Sequence, residues 1–341
     1  MHETTRSGPL RQAARMVALL AVLAVALAGC GGDDDEQAAG GGGGGEGGAS
    51  GDLTIAYQPG IGYAQLLIMR EQQTLEKALP NVQVSYKELA SGAAIRDGML
   101  ADEIQVGSGG VGPFLVGYDA GVDWKLLSSL NAMDLWLMAD DESIQTVEDL
   151  QGKKVAMPAP DSIQAIVLRK AAQEELGDAQ ALDDAIVSLP HPDGLQSLIS
   201  GQIAGHLTSP PFQFQEQDEG ARKILGSKDY FGDHTFNSVF VREEYHDDNP
   251  EIMEALFKGI QDATTMINES PAEAAALVAK ASSGDAKEFE DFMTREGVVY
   301  QIEPKGFIEF AEFMTEIGLM KEVPGDWTEL VFDNLKDVEG S

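Results

Sequence analysis

Two stretches in different halves of the chain repeat one phrase, and that repeat limits the folds open to it. The first runs Leu100-Ala101-Asp102-Glu103-Ile104, then glycines, then Pro113-Phe114; the second runs Ile199-Ser200-Gly201-Gln202-Ile203, then Thr208-Ser209-Pro210-Pro211-Phe212. Each reads as helix, tight turn, strand and Pro-Phe, which predicts two related lobes facing each other. Upstream of the first phrase, Leu53–Tyr57 is β-prone, about Tyr63 to Leu79 is helical up to Pro80, Val82–Tyr86 alternates as a strand, and Ala93–Ala101 is helical. Upstream of the second, after Thr146–Gly152, the order is strand Lys154–Pro158, helix Ser162–Leu176, strand Ala185–Leu189 and helix Asp193–Ile199. A β-α-β-α-β order calls for a parallel sheet with crossover helices, an α/β lobe. From Asp52 onward, with 43% of the whole chain apolar, there is material for two cores.

The expected division is residues 52–135 plus 242–341 as lobe 1 with the C-terminal helices, and residues 136–241 as lobe 2. Leu135–Met138 is expected to carry the chain out of lobe 1 and Phe236–Val241 to bring it back, as two crossing hinge strands. Helices are expected at Glu251–Asn268, Pro271–Ala281, Ala286–Glu296 and Phe307–Met320, packed on lobe 1 and bracing the hinge.

Residues 1–29 read as an export signal: Arg6, Arg11 and Arg15 precede the apolar run Met16–Ala28, which falls short of the ~20 residues of a membrane-spanning helix. Leu27-Ala28-Gly29-Cys30 resembles the bacterial lipobox, which implies cleavage before Cys30 and lipidation of its sulfur. No other cysteine exists for a disulfide, a nucleophile or a thiolate metal site. Residues 30–51 are then a Gly-rich tether with an r.m.s. reach of about 25 Å. The net charge of −34 opposes nucleic acid and anionic lipid, so the expected membrane contact is the acyl anchor, at the outer face of the cytoplasmic membrane.

Gly107, Gly109 and Gly112 satisfy G-x-G-x-x-G, and Asp134 lies near the distance of a ribose partner. The preceding strand is the third of its set and is interrupted by Glu103 and Gln105, and the following helix is too short for a dinucleotide crossover, so NAD is rejected and no cofactor is expected. The glycines are read instead as letting bare backbone approach a ligand. Gly112 and Pro113 open one helix, Ser91 and Gly92 another, and Ser162, Ile163 and Gln164 a third; together their amides would form an anion receptor without lysine or arginine. Gln58 and Tyr63 follow the first strand, where parallel sheets place ligands. Phe114, Trp136, His191 and Phe212 are expected to border the cleft, with Ser209 and Asn237 at its crossings, which suggests a ligand with an apolar or aromatic body and one polar end.

Catalysis is not expected. His2, His191, His206, His234 and His246 include no pair at metal-binding helical spacing, G-x-S-x-G is absent, and no metal site is expected.

Val147-Glu148-Asp149-Leu150-Gln151-Gly152-Lys153-Lys154-Val155-Ala156 and Leu198–Ile203 resemble the solute-binding lipoproteins of ABC importers, in the nitrate, sulfonate and taurine group that also includes binders of thiamine pyrimidine precursors. Family members commonly carry aspartate after that isoleucine; here it is Ala204. The resemblance implies a periplasmic-binding-protein-like (type II) α/β fold, two lobes around a cleft, and a monomeric receptor that hands a small organic molecule to a membrane permease. A sulfonate or carboxylate is the favoured ligand, with a neutral heterocycle such as a pyrimidine as the alternative; an exported enzyme and a surface sensor are the competing classes.

Overall fold

The computed structural model describes residues 49–341; the signal segment, Cys30 and the tether up to residue 48 lie outside the described residues. Twelve strands occur among the described residues. In chain order they are β1 Gly51–Tyr57, β2 Val82–Glu88, β3 Val106–Gly110, β4 Trp124–Ser129, β5 Asn131–Met133, β6 Trp136–Ala139, β7 Val155–Met157, β8 Ile186–Ser188, β9 Gly205–Leu207, β10 Arg222–Gly226, β11 Asn237–Arg242 and β12 Val298–Tyr300.

One five-stranded sheet has the order β2-β1-β3-β11-β4 and a second the order β10-β6-β9-β7-β8. Written from the other edge, the second sheet is β8-β7-β9-β6-β10, so β7, β8, β9 and β10 stand where β1, β2, β3 and β4 stand in the first. In each sheet the first three are parallel and the fourth position is an antiparallel strand from elsewhere in the chain, β11 in one and β6 in the other. The repeated phrase is thus the visible part of a topological repeat that spans both lobes.

The returning segment Phe236–Val241, expected as a crossing hinge strand, instead lies as β11 inside the first sheet, paired on both sides with β3 and β4. Its reason is packing: Phe240 crosses the glycines of β3, and a Cβ on Gly107 would stand 2.6 Å from its ring and 2.4 Å from Met99 Sδ. The chain therefore crosses between lobes around Leu135–Trp136 and again ahead of Asn237.

The first lobe buries an aromatic cluster in which Trp124 lies 4.9 Å from Phe240 and 5.8 Å from Phe114, ring centre to ring centre. The helix expected from Tyr63 to Leu79 is broken: Ala64–Gln72 ends at Gln73, whose φ of 53° is left-handed, and Thr74–Ala78 follows. Helices Pro250–Glu269 and Pro271–Ser282 pack on Ala64–Gln72. Phe307–Glu316 touches both lobes, with Phe307 against Phe114 and Phe310 stacked 3.9 Å from Phe231.

Candidate functional site

Segments that follow the carboxyl ends of β1, β2, β3, β7, β8 and β9 share one cavity of about 20 Å³ between the lobes, room for about one water. Four helices begin at its wall. Gly92 is the first residue of Gly92–Leu100, Gly110 the cap of Val111–Asp119, Ile163 the first of Ile163–Leu176, and His191 the first of His191–Ile199. First-turn amides have no partner within their own helix, and aligned peptide dipoles give each such end roughly half a positive charge. Ser91 and Ser162 each accept one amide, from Ala94 and Ala165 at 3.2 Å, and Gly110 offers no side chain to compete. Three ends were expected from sequence; the fourth, at His191, begins after Pro190 and carries no polar capping signal.

The remaining wall is polar but uncharged. Gln58 Nε2 donates to the Tyr63 hydroxyl at 2.7 Å, and that hydroxyl donates to Asn237 Oδ1 at 2.9 Å. Asn237 Nδ2 is buried and has no partner among the described residues, so it is a donor in want of an acceptor. Burial raises the Tyr63 phenol and keeps it neutral. Pro113, Gln164 and Ser209 complete the predicted residues in the wall, and Pro59, Gly110 and Phe236, which were not predicted, join them. Among the described residues no lysine, arginine, aspartate or glutamate lines the cavity.

Five expected residues stand elsewhere. Ser91 serves as the cap just described. Gly112 meets the other lobe: a Cβ there would lie 2.6 Å from the Asp161 carbonyl and 2.6 Å from Ile166 Cδ1, so its missing side chain admits protein and not a ligand. Phe114 is 1% exposed, because a residue one turn into its helix points back into the aromatic core. Trp136 faces a separate groove, where its Nε1 donates to Asp134 at 2.7 Å and Lys223 Nζ lies 5.0 Å from its ring centre. Asp134, the spacing match for a ribose partner, is committed there to Trp136, Lys223 and the Lys228 amide. Phe212 stacks on His191 at 5.6 Å and backs it from outside the wall.

Behind His191 a line of buried polar groups enters the second lobe. His191 Nδ1 lies 3.2 Å from His206 Nε2, and His206 Nδ1 lies 2.5 Å from Glu216 Oε1. Thr208 Oγ1 lies 3.3 Å from His191 Nδ1, and the far nitrogen of His191 meets the Gln164 amide at 3.2 Å. Burial lowers His206 to about 3 and raises Glu216 to about 9; burial and then His206 hold His191 well below its ordinary value. One proton therefore lies between carboxyl and imidazole, and the line carries no net charge at neutral pH. His206 and Glu216 were not predicted, since nothing in their spacing places a strand residue against a helix residue.

Residues 47–283 match the NMT1-like family. The chain belongs to that family. A Bacillus subtilis (strain 168) protein named "Putative aliphatic sulfonates-binding protein" is 25% identical over 82% of this chain and 81% of its own length. Among solved structures, the alkanesulfonate-binding protein SsuA from Xanthomonas axonopodis pv. citri bound to MOPS superposes with a TM-score of 0.67 at 17% identity, over 82% of this chain and 98% of its own. The periplasmic nitrate-binding protein NrtA from Synechocystis PCC 6803 gives 0.68 at 16% identity, over 83% and 86%. The fold is that of the two-lobed periplasmic binding proteins, as the sequence resemblance implied.

Proposed function

We propose that this member of the NMT1-like family is an extracytoplasmic receptor that closes its lobes on a small organic anion, a sulfonate or carboxylate, and delivers it to an ABC permease while held at the membrane through Cys30. One observation carries the reading: four helix amino ends meet at a cavity with no fixed charge of either sign in its wall. Peptide dipoles then do the work of a cation, and a chain of net charge −34 can hold an anion without a basic patch. The names of the relatives, which bind sulfonates or nitrate, point to the same ligand class.

At about 20 Å³ the cavity admits no organic anion, so loading requires the lobes to part at the crossings near Trp136 and Asn237 and to close again. A thermal-shift screen at low salt, with alkanesulfonates, carboxylates, nitrate and pyrimidines, tests the ligand class. Stabilisation by sulfonates or carboxylates that grows with concentration is expected; stabilisation by pyrimidines alone would replace the anion by a neutral heterocycle. Permease delivery is tested by uptake in cells with and without the chain, and the anchor by whether Cys30→Ser releases the protein from the membrane.

A further inference from the structure

Binding an anion in this cavity leaves a charge to be balanced. Helix ends contribute partial charges only, and moving an ion out of water without a partner is costly enough that ionisable neighbours change protonation state first. Two ionisable side chains lie in the wall, Tyr63 and His191. Tyr63 stays neutral and already donates its proton to Asn237. His191 is at the amino end of its helix, faces the cavity with one nitrogen and is tied through the other to His206 and Glu216.

We infer that His191 takes up a proton from solvent as the anion binds, and that His206 and Glu216 are positioning residues which make this possible by accepting the new N–H on its buried side. The inference rests on the anion-receptor reading above. In the bound state His191 Nε2–H donates to the anion in place of its present contact with the Gln164 amide nitrogen, and Nδ1–H donates to His206 Nε2. His206 must then hold its own proton on Nδ1 and donate it to Glu216 Oε1. Glu216 keeps its proton, which passes from the shared Oε1 side to Oε2, the buried oxygen with no partner among the described residues. One proton enters with each monoanion, the complex has no net charge change, and no carboxylate is left bare in the core.

The groups that face His191 from other elements support this assignment. From the Ile163 helix comes Gln164, which is uncharged, while Arg169 of that helix is held by Asp183 at 2.9 Å. From the turn before it, Asp161 is neutralised by Arg96 at 2.6 Å. Asp193, on the same helix as His191, is exposed. From β9 and the Phe212 helix come His206 and Glu216, and from the first lobe Tyr63. At rest the environment disfavours His191 protonation, through burial and then through His206, so the proton arrives with the ligand and not before it.

The consequence is selectivity by charge and by pH. An anion gains from acidification, whereas a neutral heterocycle of the same size does not. Ethanesulfonate, whose own proton is lost far below the working range, is a suitable probe. Titration calorimetry of the intact mature protein at pH 6, in several buffers of different ionisation enthalpy that contain no sulfonate, should give an uptake of about half to one proton per ethanesulfonate. Affinity should rise about tenfold or more from pH 8 to pH 5.5, and His191→Gln should bind more weakly with neither effect. Binding with no uptake, with pH-independent affinity, or with uptake retained in His191→Gln overturns the inference and leaves the anion receptor standing. Failure of ethanesulfonate to bind anywhere in that range, together with failure of the carboxylates and nitrate, overturns both.

Discussion

Arg96 Nη1 and Asp161 Oδ2 meet at 2.6 Å and join the Gly92 helix of the first lobe to the turn that precedes the Ile163 helix of the second. Both side chains are about one-fifth exposed, so the pair is neither a screened surface contact nor a fully buried one. Exposed pairs contribute up to about 1 kcal/mol, and parting the lobes would break this one, because its two partners belong to different lobes. Asp161→Asn is expected to weaken ligand affinity about three- to tenfold, chiefly by faster release. A double-mutant cycle with Arg96→Ala, read by calorimetry, should give a coupling of about 1 kcal/mol; additive effects would show that the contact does not hold the closed state.

Gly112 offers a sharper test of closure. A side chain there meets the Asp161 carbonyl, which is backbone and has little freedom to give way. Gly112→Ala is therefore expected to prop the lobes apart, reducing affinity tenfold or more while the ligand-free protein unfolds within a few degrees of the parent. Solution scattering should show no contraction when ligand is added. Normal contraction with normal affinity would mean that the neighbouring loop yields.

These two contacts illustrate what the sequence contains and what it withholds. Helix starts at Ser91 and Ser162 were legible because a serine cap followed by an apolar periodic run is a local signal. The paired lobes were legible because the Pro-Phe phrase recurs at the same place in each order of strands and helices. The position of Phe236–Val241 was not: an antiparallel strand inserted between β3 and β4 is a long-range pairing, made possible by glycines in a strand remote in sequence. Phe114 and Trp136 lie close to the cavity in sequence but point elsewhere, since one residue along a helix turns a side chain by a large angle and successive residues of a strand face opposite sides. Likewise, His206 and Glu216 acquire meaning only when β9 and the Phe212 helix are brought together.

Phe114 lies in the first turn of its helix and Phe212 opens the equivalent helix of the other lobe, yet truncating them should have opposite effects. Phe114 fills the cluster with Trp124, Phe240 and Phe307, and Phe114→Ala should cost about 3–5 kcal/mol of stability, with the affinity of the remaining folded protein unchanged. Phe212 is only partly buried and braces His191. Phe212→Ala should lower affinity about tenfold with little change in unfolding temperature. Paired thermal unfolding and calorimetry distinguish the two, and an exchange of phenotypes would reverse the assignment of core and site.

Stability should peak near pH 6.5. Glu216 keeps its proton in the folded chain up to about pH 9 and releases it near 4.5 when unfolded. Across that interval the native state binds the extra proton, so stability falls as pH rises and the loss is complete above about 9. The buried histidines act in the opposite sense. His206 and His234 are lowered to about 3 and about 4, mainly by burial, and His191 well below its ordinary value. Below 6.5 the unfolded chain binds the extra protons, and stability falls as pH drops. Between 4.5 and 6.5 three imidazoles outweigh one carboxyl. The unfolding temperature without ligand is therefore expected to be highest near pH 6.5 and lower by roughly 5 °C or more at pH 8.5. Glu216→Gln should flatten the alkaline side and leave the acid side in place. An unchanged alkaline slope in that variant would show that Glu216 is already ionised at neutral pH, and would move the shared proton onto His206.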